Sequence, residues 1–310
     1  MLSYPKLAKN PKQFRSFTGL EIGEFDKLFG LVRSEYGEHE KRRLARKGRK
    51  RSMGAGRRFI LGLQERLVML LVYYRLYATY ALEGYLFDVD QSTVCRDIRH
   101  LEPLVKRCIP LPKKVHRRTK KIGTIEELLD YYPEFKAILD ATEQEIPRPK
   151  NRRRRKSYYS GKKKKHTIKT QILVNRKGLI MHKSRHFRGR VHDYTVYKET
   201  HPSVPPGVEV EMDLGYQGIR DDFPKVKSRL PIKKPRGRAL SAQEKQHNRR
   251  LSRSRVVVEH TIARVKKFGI MGQEFRNRLG IYGDATDIVC GLVNFRMMLN
   301  EGVDVSVFVG

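Results

Sequence analysis

An all-α N-terminal domain followed by an α/β domain is the fold class this sequence predicts, and three observations predict it. Between Leu61 and Val105 the apolar residues recur every three or four positions, the spacing of helices that bury one face. Three later stretches, Ala137–Asp140, His166–Val174 and Val208–Asp213, are short, apolar or alternating, and read as strands. A long helical pattern from Ser241 to Gly269 and another over Ile288–Leu299 then close the chain. The expected organisation is a helical domain over 1–112, a linker over 113–130, an α/β domain over 131–300 and a tail over 301–310.

The chain has 310 residues, room for one large domain or two ordinary ones. Its formal charge of +34 works against compaction and asks for a polyanionic partner. Nucleic acid supplies one, because it offers a line of phosphates. An anionic membrane surface fits poorly: Trp is absent, and no amphipathic stretch pairs a basic face with aromatic anchors. Cys95, Cys108 and Cys290 form no CxxC pair, which argues against a disulfide framework or a cysteine zinc site. No apolar run reaches transmembrane length, so a soluble cytoplasmic protein is expected.

In chain order, residues 1–17 are polar and expected to be loose. Leu20, Phe25, Leu28 and Phe29 mark a helix, and 35–58 read as a basic arm. Leu63, Leu67, Leu70, Leu71 and Tyr74 are one helical stripe. TYALEGYLF, a break at Asp88-Val-Asp90 and QSTVCRDIRHLEPLV then outline a helix-turn-helix, with Asp90 as N-cap of the second helix. That helix turns Val94, Ile98 and Leu101 inward and offers Gln91, Ser92, Thr93, Arg96 and Arg99 to a major groove. An ordinary αα-hairpin is the plainer alternative.

Pro110 and Pro112 mark a hinge, and Ile125–Leu129 a short helix. A strand expected to end at Asp140 follows. Next comes the densest basic block, Arg152–Lys156 and Lys162–Lys165, and then two antiparallel strands joined at Asn175–Gly178. Asp193 is expected to N-cap a helix, DYTVYKET. In VEVEMDLGYQG, Val208, Val210 and Met212 form one face of a strand, and Glu209, Glu211 and Asp213 the other. A further strand is expected within 226–233. Ser241 and Glu244 form a capping box for the long helix, whose buried stripe is expected to be Leu251, Val258, Ile262 and Val265. Arg255, Glu259 and Lys266 share a neighbouring face.

Three acids stand out by setting: Asp140 and Asp213 on strands, and Glu259 in the long helix. A phosphodiester is anionic and repels nucleophiles, whereas two divalent ions can activate the attacking oxygen and stabilise the leaving one. Mg²⁺ takes hard oxygen ligands, so two or three carboxylates and a substrate phosphate suffice. Each acid also admits a plainer role: a turn residue for Asp140, a cap for Asp213 and a pairing with Arg255 for Glu259. Glu209 and Glu211 compete as ligands on Asp213's strand.

The stretches LDATEQEI, YYSGKKKKHTIKTQ, GRVHD, DLGYQG and RSRVVVEHTIARVKKFG, in that order, resemble bacterial insertion-sequence transposases with a DDE triad, of the insertion-sequence-five group related to eukaryotic Harbinger elements. The resemblance implies a ribonuclease H-like catalytic domain preceded by the helix-turn-helix domain. It implies that Asp140, Asp213 and Glu259 are catalytic and hold two Mg²⁺, with Mn²⁺ as a substitute. Arg255 and Lys266 match basic positions that flank the family's glutamate, while Ser252 stands where a Tyr is often found. Arg152, Arg153, Lys162, Lys163 and Lys164 are expected to clamp a DNA backbone, or else to form a solvated loop. The implied partners are double-stranded DNA, at terminal inverted repeats and at the target, and further copies of the chain in a homodimer or larger assembly. Two rivals are a metal-dependent endonuclease or domesticated relative that cuts without rejoining, and a basic DNA-binding protein with no chemistry.

Overall fold

A computed structural model describes residues 1–45, 58–121 and 124–309. The chain divides into two compact units, one of residues 1–111, 267–270 and 287–310, the other of residues 112–266 and 271–286. The first boundary between them falls between Leu111 and Pro112. From Asp287 onward the closing helix and the tail belong with the N-terminal unit.

The first unit is built from α1 (Tyr4–Ala8), α2 (Pro11–Thr18), α3 (Ile22–Leu44), α4 (Leu63–Leu76), α5 (Tyr80–Phe87) and α6 (Gln91–Cys108). Residues 1–17, expected to be loose, are largely helical because Leu7 and Phe14 are fully enclosed among the polar residues around them. The basic arm expected over 35–58 is corrected in its first part, where α3 runs on to Leu44. Residues 46–57 of that arm lie outside the described residues. The helix-turn-helix forms as the sequence indicates. Asp88 adopts a left-handed conformation after α5, and Asp90 accepts from the Ser92 N–H at 2.7 Å at the start of α6. The turn needs Gly84, since a Cβ there would meet the Val89 carbonyl oxygen at 2.5 Å. Val94, Ile98 and Leu101 are buried, while Gln91, Ser92, Arg96 and Arg99 are exposed and Thr93 half-exposed.

The second unit opens with α7 (Pro112–Thr119) and α8 (Ile125–Tyr131), so 113–130 is not a bare linker. Then come β1 (Lys136–Glu145), α9 (Arg152–Tyr158), β2 (Tyr159–Ser160), β3 (Lys165–Asn175), β4 (Ile180–Lys183), β5 (Phe187–Arg188), α10 (Asp193–Thr200), β6 (Glu209–Glu211), α11 (Ile219–Asp222), β7 (Ser228–Arg229) and α12 (Ala242–Lys266). After these follow α13 (Gly269–Gly272) and α14 (Tyr282–Asn300). The strands form one mixed sheet in the order β2-β3-β1-β6-β7, with β4 and β5 also paired to β3. β1 is antiparallel to β3 and parallel to β6. The all-α unit and this sheet with its helices have the helix-turn-helix and ribonuclease H-like α/β arrangement that the sequence predicts.

Apolar β1 residues Ala137, Ile138 and Leu139 are fully buried, as are Ile172, Leu173 and Val174 beside them on β3. α12 packs on β1 and β3 through Leu251, Ser254, Val258, Thr261 and Val265. Ile262, expected in that stripe, is only half-buried, and Thr261 takes its place by donating to the Gly178 carbonyl at 3.0 Å. The capping box of α12 is present, with Ser241 and Glu244 each accepting from the other's backbone N–H. Among the described residues no helix is long and apolar enough to cross a membrane.

Candidate active site

β1 carries Asp140 at mid-strand rather than at its end. The strand continues to Glu145 because the polar run Ala-Thr-Glu-Gln-Glu stays paired with β3 as far as Thr167. On the other side β1 pairs in parallel with β6, Lys136 beside Glu209 and Ile138 beside Glu211. β6 ends at Glu211, so Asp213, expected on that strand, lies two residues past it and caps the short turn Leu214–Tyr216 instead. Asp140 and Asp213 nevertheless both face the side of the sheet that carries Arg255.

α12 crosses that side. Ser254 donates to the buried Glu211 carboxylate, which pins the helix against β6 one residue before Arg255. The Arg255 guanidinium then reaches both acids. Nη1 donates to Asp213 Oδ1 at 3.0 Å and Nη2 to Asp140 Oδ2 at 3.5 Å. Each acid also accepts from the next residue's N–H at 2.8 Å, Asp140 from Ala141 and Asp213 from Leu214. Burial raises the Asp140 pKa. The Arg255 charge opposes the rise, and the neighbouring Asp213 and Asp193 charges add to it.

Glu259 lies one helical turn beyond Arg255, is exposed, and lines a cleft of about 230 Å³ together with Asp140. Lys162, Lys163, Lys266 and Asp193 border the same cleft. Lys162 and Lys163 are presented by a turn whose fold depends on Ser160. The Ser160 hydroxyl accepts from the Lys163 N–H at 3.2 Å and its carbonyl from the Lys164 N–H at 2.8 Å. Lys164 is exposed in that turn. Lys266 donates to the Glu143 carbonyl at 3.3 Å, and burial together with the nearby Lys163 lowers its pKa. Arg152 and Arg153 sit on α9, away from this cleft's lining, so the basic block is in part a helix rather than a continuous loop.

Sequence reasoning missed Lys169. It is 7% exposed and sits opposite Glu143 in the β1–β3 pairing. Its ammonium lies 2.7 Å from Asp193 and 3.8 Å from Glu143, and donates to the Val191 carbonyl. Asp193 is therefore not the cap of α10. His192 fills that position, which leaves the Asp193 carboxylate for Lys169. The GRVHD motif makes this contact feasible, since Gly189 approaches β3 so closely that a Cβ would lie 2.0 Å from Thr167 Oγ1. Tyr216 of DLGYQG is buried and accepts from Gln171 on β3 at 2.8 Å, anchoring the turn behind Asp213. The usable signal for Lys169 was its period-two placement in HTIKTQILV, a charge inside an otherwise buried strand.

These residues fit a hard divalent cation. The donors are carboxylate oxygens of one strand residue and one residue in the turn after the neighbouring strand, and a guanidinium already lies between them as a shared cation. They are not closed around a point. The three acids do not form a group of ligand atoms within 4.8 Å of one another, whereas His39, Glu40 and His100 in the first unit do. Those imidazole nitrogens are already used. His39 donates to the His100 carbonyl and accepts from Arg107, while His100 donates to Glu40 and accepts from Arg66. Burial and the Arg66 charge push the His100 pKa down to about 4, and these contacts tie α3, α4 and α6 together.

Residues 139–294 match the family model described as DDE superfamily endonuclease, and residues 60–111 the model described as helix-turn-helix of DDE superfamily endonuclease. The chain is 30% identical over 290 residues to a protein of Microchaete diplosiphon named "Probable transposase for insertion sequence element IS702", covering 93% of this chain and 95% of that protein. No solved structure matches it.

Proposed function

The chain belongs to the DDE superfamily endonucleases and is an enzyme of the DDE transposase type; from that premise we propose that it cuts DNA at the ends of an insertion sequence and joins those ends to target DNA. One observation carries the reading. Asp140 on β1 and Asp213 in the turn just after β6 share one cation, and Glu259 borders the same cleft as Asp140.

In this reading Asp140, Asp213 and Glu259 are the catalytic carboxylates and hold two Mg²⁺, for which Mn²⁺ can substitute. Bound there, the ions supply Lewis-acid activation of the attacking oxygen and stabilisation of the leaving one. β1 would fix one ligand against drift and the capped turn after β6 a second, while α12 would bring the third across the sheet. Lys162, Lys163 and Lys266 at the rim neutralise substrate phosphates and hold the scissile bond against the acids. Lys169 compensates Asp193 and Glu143, so the wall of the cleft does not repel the strand. Arg255, beside Asp140 and Asp213, would steer a substrate phosphate. Hydrolysis at each element end frees a 3′-hydroxyl, which then attacks target DNA. Neither step requires a covalent enzyme intermediate, so no serine or tyrosine nucleophile is assigned.

α6 presents Gln91, Ser92, Thr93, Arg96 and Arg99, and on this reading enters the major groove at the terminal inverted repeats. Arg152, Arg153 and Lys164 add backbone contacts. Two ends must be joined in one event, so the working form is a homodimer or larger assembly on the bacterial nucleoid. The test is Mg²⁺-dependent cleavage of a duplex carrying the element end, followed by joining of a pre-cut end, with wild-type and Asp140→Ala proteins. Joining by the variant at the wild-type level would remove Asp140 from the site. Cleavage by the wild type without joining would favour an endonuclease, and binding without cleavage would leave a DNA-binding protein with no chemistry.

A further inference from the structure

A second cavity of about 1020 Å³ lies on the catalytic unit and shares no lining residue with the carboxylate cleft. Arg148, Arg152, Arg155, Lys156 and Arg190 surround it. Among the described residues none of these five cations is paired with a carboxylate. Like charges gathered without counter-ions repel one another, and an anion entering the cavity relieves that repulsion.

The floor of the cavity holds more than charge. Tyr159 and His166 form a cross-strand pair between β2 and β3, with ring centroids 5.7 Å apart and planes at 70°. Tyr159 is 42% exposed, unusually open for an aromatic ring on a paired strand. Phosphate alone has no use for an aromatic surface, whereas a base has a π-face that stacks on one. The site is open to solvent, and its volume of about 1020 Å³ far exceeds what an isolated phosphate needs.

We infer that this cavity binds unpaired nucleotides of a DNA strand, with the base against Tyr159 and the flanking phosphates on the surrounding arginines. The inference rests on the chain acting on DNA. A closed duplex would present only its backbone to the cavity and leave the aromatic pair unused. The route from the carboxylates is short. Tyr159 and Gly161 line the basic cavity, while Lys162 and Lys163, next in sequence, line the carboxylate cleft. A strand freed at the cleft can therefore pass along this one turn into the basic cavity.

The experiment measures fluorescence anisotropy of the full chain with a labelled twelve-nucleotide thymidine strand and with a labelled duplex, in EDTA so that nothing is cut. For Tyr159→Ala the single-strand affinity is expected to fall about 5- to 150-fold, the equivalent of roughly 1–3 kcal/mol of base stacking. Duplex affinity is expected to stay within about twofold of wild type, and Tyr159→Phe, which keeps the ring, to bind both DNAs normally. A double variant, Arg152→Ala with Arg155→Ala, is expected to reduce the salt dependence of single-strand binding by about 1.4 in log–log slope. Unchanged single-strand binding by Tyr159→Ala, or an equal loss on duplex, would overturn the proposal. Cleavage by the wild type in Mg²⁺ is scored separately, so a protein that binds the strand but never cuts would defeat the enzymatic reading and leave this site standing.

Discussion

Arg255 donates to Asp213 at 3.0 Å and extends its second nitrogen to Asp140 at 3.5 Å, so one guanidinium spans a carboxylate of β1 and one in the turn after β6. Without that charge the two acids would face each other, Asp140 largely buried, at a substantial repulsive cost. On the proposed reading a divalent ion would give the same neutralisation there and would compete with the guanidinium.

The first prediction follows from that competition. Arg255→Ala is expected to bind Mn²⁺ more tightly than wild type by about tenfold or more, because charge-assisted hydrogen bonds of roughly 1.5–3 kcal/mol no longer have to be broken. The metal-free variant should melt at a lower temperature and recover when Mn²⁺ is added. Calorimetric titration without DNA measures the affinity directly. Weaker Mn²⁺ binding by the variant would mean instead that Arg255 orders the acids for the ion.

The second prediction separates chemistry from folding. Glu259 is exposed, so Glu259→Gln should keep the wild-type melting temperature and duplex affinity. Its cleavage rate is expected to fall by more than the roughly 10–100-fold that outer-shell partners of a metal cost. Asp140→Asn and Asp213→Asn should lose cleavage as severely, with the larger stability change at Asp140, the more buried of the two. A Glu259→Gln enzyme cutting within a few-fold of wild type would remove Glu259 from the catalytic set.

Much of this architecture was legible because it is local. Val94, Ile98 and Leu101 are buried as their 3.6-residue spacing requires, and Asp90 and Ser241 cap helices as their side-chain chemistry predicts. The alternation at Val208–Asp213 marked the strand, but Asp213 lies past its end and caps the next turn. What was not legible depends on partners remote in sequence. Asp140 reads as a strand end because polar residues follow it, yet those residues pair with β3 and border a polar cleft. Asp193 reads as a cap until Lys169 of another strand claims its carboxylate. The residues from Asp287 onward carry an ordinary helical pattern, and no periodicity says which unit that pattern belongs to.

The third prediction concerns α6. Arg96 folds back on its own helix, donating to the Ser92 carbonyl at 3.0 Å and to the Ser92 hydroxyl at 2.9 Å, while Arg99, a turn further on, is exposed. Residues near the start of a recognition helix reach base edges, and later ones meet the backbone. Arg99→Ala is expected to weaken binding to all duplexes alike and to lower the salt slope by about 0.9. Arg96→Ala is expected to lose about 1–3 kcal/mol of discrimination between element-end and random DNA. Filter binding across a salt series distinguishes the two. A uniform loss from both variants would make α6 a backbone-contacting helix only.

The last prediction comes from a buried acid outside the catalytic unit. Glu83 in α5 is fully enclosed, and among the described residues neither carboxylate oxygen has a hydrogen-bond partner. Burial alone raises its pKa from an ordinary value near 4.5 to about 8. The folded protein therefore keeps this proton to about pH 8, whereas the unfolded chain releases it near 4.5. The stabilisation is complete below the lower value, falls by about 1.4 kcal/mol per pH unit between the two, and is gone above the higher. Across that window the loss is on the order of 5 kcal/mol. Glu83→Gln has no such proton to lose, so the difference in unfolding free energy between variant and wild type should grow in the variant's favour from pH 5 to pH 8 and then level off. Urea melts at four or five pH values measure it. Parallel stability curves would show that the Glu83 carboxyl is already ionised in the folded protein, with water reaching the α5–α6 turn.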